Sequence, residues 1–162
     1  LCLGAAYTVT KDPIARQEAE QKEMARKAVL EEAVSFEEVQ LTDGGNVQEC
    51  YRGLDAAGNP CGYAMSVTAK GFGGDIQLTV GVKDGVVTGV RIGTHSETPG
   101  LGARAAEEKF YGQFIGKSGT LSVIKTGEAG DSEINAITAA TITSTAVTNA
   151  VNEALDCAAG LN

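Results

Sequence analysis

Residues 75–94 read DIQLTVGVKDGVVTGVRIGT. Ile76, Leu78, Val80 and Val82 recur at every second position, the period of a strand that buries one face. Asp84-Gly85 interrupts two β-rich runs, and Asp-Gly between such runs is a strong hairpin signal. Working outward, VQECYRG (47–53) and CGYAMSVTAKG (61–71) repeat the pattern, with turns rich in Gly, Asp and Asn between them. Nothing resembling a crossover helix separates these runs, so they are expected to pair antiparallel.

Helical spacing flanks this block. Residues 12–34 predict a long N-terminal helix, with Asp12 as cap and Pro13 in its first turn. Its surface is charged nearly all round, with a thin apolar line of Ile14, Met24, Ala28 and Val29, which reads as a solvent-bridging connector. Residues 103–115 predict a mid-chain helix with Ala106, Phe110 and Phe114 on one stripe, and 121–125 a short strand. A C-terminal helix is expected over roughly 143–158, burying Val147, Ala150, Val151, Ala154, Leu155 and Ala158. The expected fold is α+β: a single domain with an antiparallel sheet core and three helices.

The net charge of −8 and the absence of any basic run exclude nucleic acid as a partner, because phosphate backbones require clustered Lys and Arg. The 21 glycines imply tight turns and close backbone approaches. The four cysteines make no CxxC, and His95 is the only histidine, so no metal site is expected. Cys50 and Cys61 flank a turn-rich segment and are candidates for a bridge across a hairpin. The apolar opening Leu1–Tyr7 is too short to span a bilayer, which takes ~20 residues. It reads equally as the end of a longer hydrophobic segment or as a processed N-terminus.

Two segments carry candidate chemistry. SETPGLG (96–102) follows a strand and precedes a helix; Gly100 and Gly102 relax the backbone, while Glu97 and Thr98 are expected at its tip. A ligand's flat face can lie on such a loop, and a plain connection capped by Thr98 is the alternative. TAATITSTAV (138–147) places Thr138, Thr141, Thr143 and Ser144 at or before the first turn of the last helix. Free N–H groups and the positive dipole end make that position an anion site, so hydroxyls there can hold a phosphate without Lys or Arg. One capping residue needs one hydroxyl, and this stretch offers four. No GxGxxG before a helix, GxxxxGK[ST] or GxSxG is present.

SETPGLG, FYGQFIGK (110–117) and TAATITSTAV, in this order, resemble the FMN-binding domain of the G subunit of Rnf electron-transport complexes, a relative of the C subunit of sodium-pumping NADH:quinone reductase. The likeness extends to TKDPIA (10–15), which resembles the end of that family's single transmembrane helix. The resemblance implies three parts: the end of a membrane segment (1–11), a connecting helix (12–35) and a covalent FMN-binding domain (36–162). It implies a phosphoester between FMN and Thr141 in the motif Thr138-Ala139-Ala140-Thr141, installed by a flavin transferase, with Ala139 in place of the motif's glycine and Asn135 where the family often has Asp. Thr138, Ala140, Thr143 and Ser144 then surround the phosphate, and Glu97, Thr98, Gly100 and Leu101 line the isoalloxazine. The implied role is a membrane-anchored electron carrier on the extracytoplasmic side. Its partners are the other membrane and redox subunits of an ion-translocating ferredoxin:NAD oxidoreductase, and it has no NADH or ferredoxin site of its own. The alternatives are an extracytoplasmic binding module without cofactor and a flavin-sensing regulatory domain.

Overall fold

The structure is a computed structural model that describes residues 16–17, 19–41, 45–93 and 95–161. The membrane segment expected over 1–11, the Asp12 cap, Pro13 and Ile14 lie outside the described residues. Five strands form one antiparallel sheet whose spatial order is the chain order: β1 (Ser35–Val39), β2 (Val47–Leu54), β3 (Pro60–Lys70), β4 (Asp75–Lys83) and β5 (Val86–Ile92). The 75–94 stretch is the β4–β5 hairpin, with Val80 opposite Val90. Asp84 and Gly85 both take positive φ, 53° and 76°, as a two-residue turn matched to strand twist requires. β1 is an addition to the sequence expectation. SFEEV carries two glutamates and no clean alternation, and its place depends on pairing to β2 rather than on burial.

The two faces of the sheet meet different partners. Helix α3 (Thr141–Gly160) covers one, and all six residues of its expected stripe are buried against Met65, Val67, Leu78, Val80 and Val90. The other face receives α1, the N-terminal helix, which covers 16–17 and 19–29 among the described residues: its end packs there, and the Arg26 guanidinium lies over the Tyr51 ring at 4.1 Å. That helix ends before residue 34, because Val29, Leu30 and Ala33 turn inward and Val34 N–H already bonds Leu54 O at 2.8 Å. The expected apolar line is therefore only partly used: Val29 is buried, whereas Met24 is 62% exposed. Glycines make the docking possible. A Cβ on Gly81 would overlap the Val29 carbonyl, one on Gly89 would lie 2.8 Å from Val29 Cα, and the Thr88 hydroxyl donates to that same carbonyl.

The mid-chain segment is not one helix. A 3-10 turn (Gly102–Ala106), a single α turn, α2 (Glu108–Tyr111), and a second 3-10 turn (Gly112–Phe114) follow one another. Glu107, extended at ψ 139°, resets the phase, so Ala105 is buried in place of Ala106. Phe110 and Phe114 do go inward, edge to face at 5.6 Å. Beyond them, β6 (Ser122–Ile124) and β7 (Glu133–Asn135) form a two-stranded parallel sheet. Cys50 lies in the core under α3, and Cys61 lies in the cluster under α1. A bulge between Gly53 and Leu54 separates them onto opposite faces. Both are free thiols, so the bridge considered from sequence is not formed, and burial pushes the Cys50 thiol up to about 12.

Gly81→Ala is expected to lift the end of α1 from the sheet and to cost about 1–3 kcal/mol, as overpacking does. A thermal melt checks it, and an unchanged midpoint would remove the glycine-docking account.

Candidate functional site

β5 delivers the chain to residues 95–98, and Pro99-Gly100 then turns it, with Gly100 at φ 79° and Leu101 N–H bonded to Thr98 O at 3.1 Å. Glu97 does not stand at the tip. Only 6% exposed, its carboxylate accepts the Phe72 N–H at 2.9 Å and the Gly73 N–H at 2.8 Å. A buried carboxylate needs such donors, and no cation pairs with it among the described residues. The turn it grips, GFGG (71–74), must be glycine-rich: a Cβ on Gly71 would overlap Glu97 Oε1, and one on Gly73 would overlap Ser96 O. Phe72 is left at the apex, 73% exposed.

The N-terminus of α3 faces this clasp. Ala139 takes φ 64°, and Ala140 is the capping position but offers no side-chain bond. The first intrahelical bond runs from Ser144 N–H to Ala140 O at 3.0 Å. The amides of Thr141, Ile142 and Thr143 precede it, so their N–H groups have no acceptor in the helix and no capping side chain among the described residues. A 20-residue helix adds the positive end of its dipole here.

Between clasp and helix lies a cavity of about 410 Å3 lined by Phe72, Glu97, Thr98, Leu101, Gly102, Ala139, Ala140, Thr141, Ile142 and Thr143. Thr141 is half-buried, and the exposed apolar side chains of Phe72, Leu101 and Ile142 form its rim. A larger cavity of about 630 Å3 lies between α1 and the sheet, lined by a mixture of amide, hydroxyl and aliphatic side chains, away from this convergence.

The structure thus brings together Glu97, Thr98, Leu101, Ala140, Thr141 and Thr143. Gly100 shapes the turn without lining the cavity. Thr138 opens onto a separate depression of about 240 Å3 shared with Arg104, Lys109 and Asn135. Ser144 is fully buried and faces away: its Oγ accepts the Ile137 N–H at 2.9 Å and donates to Ala140 O at 2.8 Å. It braces the approach to the helix from inside and has no hydrogen left to donate to a phosphate. Sequence reasoning missed Phe72, Gly71 and Gly73, whose signal was the glycine density of GFGG. Gly102, read from sequence as relaxing the backbone, takes no positive φ; it must be small because a Cβ there would come within 2.7 Å of Thr143 Oγ1.

The model of the FMN-binding domain family matches residues 71–156, from the GFGG turn through most of α3. The chain belongs to the FMN-binding domain family. This FMN-binding domain is 37% identical over 161 residues to the G subunit of the ion-translocating oxidoreductase complex of Methanosarcina acetivorans, covering 95% of this chain and 84% of that protein. It is 36% identical over 167 residues to the G subunit of the Na(+)-translocating ferredoxin:NAD(+) oxidoreductase complex of Acetobacterium woodii, covering 93% and 80%. Among solved structures, it shares its fold with the C subunit of the Na(+)-translocating NADH-quinone reductase of Parabacteroides distasonis. That match has a TM-score of 0.55 and 24% identity, over 69% of this chain and 59% of the other.

The chemistry of the lining suits FMN. Three free N–H groups and the Thr141 and Thr143 side chains gather at one end of the cavity, and Phe72, Leu101 and Ile142 offer apolar surface at its mouth. Glu97→Gln replaces one acceptor oxygen with a donor facing an N–H group, leaving one amide of the 72–73 turn unsatisfied. The expected cost is about 2 kcal/mol, or a fall in the thermal midpoint of roughly 4–8 °C in the cofactor-free domain. A midpoint within a degree of wild type would mean that the clasp contributes nothing.

Proposed function

We propose that this domain is the electron-carrying flavoprotein subunit of a membrane-bound, ion-translocating ferredoxin:NAD oxidoreductase complex, with FMN joined through its phosphate to Thr141. The observation that carries the reading is the half-buried Thr141 hydroxyl at an uncapped helix N-terminus, opening into a cavity with an apolar rim. When bound, FMN supplies one- or two-electron transfer. The residues supply the rest. The N–H groups of Thr141, Ile142 and Thr143 and the Thr143 hydroxyl solvate the phosphate charge, and the dipole of α3 favours it. Thr98, Leu101 and Phe72 are placed to hold the isoalloxazine and exclude water from it. Glu97 holds the Phe72 and Gly73 amides in the clasp beneath.

The partners are the other membrane and redox subunits of such a complex and, during maturation, a flavin transferase. The relatives of this chain are subunits of ion-translocating complexes, which implies membrane association. No helix among the described residues is long and apolar enough to cross a membrane. A single-pass anchor ending at residues 1–11, with the domain on the extracytoplasmic side, is the arrangement we propose; covalent attachment then retains a cofactor that could not be replaced there. A cofactor-free module with the threonines as helix cap is disfavoured, since no side chain caps α3.

Intact mass after co-expression with a flavin transferase tests the covalent link. The expected gain is one FMN less one water, mapped to the peptide containing Thr141 and absent in Thr141→Ala. An unmodified wild type beside an active transferase would overturn the assignment. The left-handed Ala139 gives a second prediction, because an L-residue there costs roughly 1–2 kcal/mol that glycine does not. Part of that gain is offset by glycine's greater freedom when unfolded, so Ala139→Gly is expected to raise the thermal midpoint by about 1–3 °C. A lowered midpoint would contradict it.

A further inference from the structure

Gln113 lies in the second 3-10 turn, 22 residues from Asn135 in the chain, and its side-chain amide meets the Asn135 backbone at two points. Nε2 donates to Asn135 O at 3.2 Å, and Oε1 accepts the Asn135 N–H at 2.8 Å. Asn135 is the last residue of β7, opposite Ile124 of β6, and the Ile124 carbonyl is taken by Ala136 N–H at 2.9 Å. In a parallel ladder alternate residues turn their N–H and C=O to opposite sides. Gln113 thus occupies the open edge of β7 as a neighbouring strand would. It is held there by Phe110 and Phe114, both buried on either side of it in sequence.

The clamp determines what faces solvent next to the acceptor. With its backbone fixed, Asn135 keeps its side chain exposed, lining the depression that also holds Thr138, Arg104 and Lys109. Two residues on, Ser144 grips the Ile137 N–H, and the chain passes through left-handed Ala139 to Thr141. The segment leading to Thr141 is therefore pinned at Asn135 by a glutamine from outside and at Ile137 and Ala140 by a serine from inside, with the side chains of Asn135 and Thr138 left exposed.

We propose that Gln113 is a positioning residue for the modification of Thr141, holding residues 135–138 in the shape that the flavin transferase reads. This rests on the reading of Thr141 given above. In that reaction the Thr141 Oγ1 forms a bond to the FMN phosphorus and the phosphoanhydride of a flavin dinucleotide donor breaks. The nucleoside monophosphate leaves with the bridging oxygen, and the hydroxyl proton is released to solvent. Gln113 touches none of these atoms and acts through the backbone of Asn135.

The same small sheet supplies the control. Asn152 of α3 makes a matching two-point clamp on Leu121, accepting its N–H at 2.8 Å and donating to its carbonyl at 2.9 Å, at the entrance to β6. The test follows flavin transfer by intact mass, using purified domain, transferase and flavin dinucleotide at varied domain concentration. Alongside, amide hydrogen exchange at residue 135 is measured. Gln113→Ala is expected to raise the KM for the domain about tenfold, in line with two lost hydrogen bonds, with kcat within about twofold and faster exchange at residue 135. Asn152→Ala is expected to lower the thermal midpoint while leaving KM within about twofold of wild type. Gln113→Ala with a wild-type KM overturns the proposal, and so does an equal rise in KM in both variants, which would make the clamp structural only. A wild-type domain that remains unmodified overturns the reading of Thr141 itself, and the role of Gln113 with it.

Discussion

Everything in this molecule hangs on the packing of α3 across one face of the sheet. Six small and medium apolar side chains, three of them alanines, let the helix sit close over Met65, Leu78 and Val80. That burial fixes where the helix begins as well as where it lies. Its N-terminus then meets the end of β5, the GFGG turn and the segment leaving β7 at one place. With α3 held by its middle, its first turn need not be stabilised by its own cap, and the free N–H groups become available to a ligand.

The hydroxyls of 138–148 divide their work by the rotation of the helix. At ~100° per residue, neighbours only one or two positions apart face different surroundings. Thr141 and Thr143 look into the cavity, Thr138 looks into the next depression, and Ser144 and Thr148 bond carbonyls inside the fold. The sequence stretch is rich in hydroxyls because two needs overlap in it: an anion-facing surface, and a tightly braced entry to a helix that lacks a conventional cap.

What could be read from sequence was whatever depends on local period. The β4–β5 hairpin follows from alternation around Asp84-Gly85, and the α3 stripe from 3.6-residue spacing. Strands β6 and β7, three residues each, are too short to show a period. β1 is held by hydrogen bonds its neighbour supplies. The break at Glu107 separates two stretches that each look helical. Glu97 was misplaced for a general reason: a glutamate in a loop reads as exposed, and its burial depends on amides 24 and 25 residues away that only folding delivers. Which of Thr138, Thr141, Thr143 and Ser144 faces the cavity likewise needed the starting phase of α3.

The Glu97 clasp has a consequence for how the cavity behaves in time. The GFGG turn joins β3 to β4 at the end of the sheet, beyond the last ladder pair, Lys70 with Asp75. Apart from one bond between Gly71 and Gly74, the hydrogen bonds that tie it down end on that one carboxylate. Letting go of two bonds would swing Phe72 away without disturbing a single strand pair, so the wall bearing Phe72 can open at far lower free energy than the domain unfolds. The mouth of the site is hinged on a carboxylate, while the threonine opposite is anchored to a helix buried along its length against the sheet.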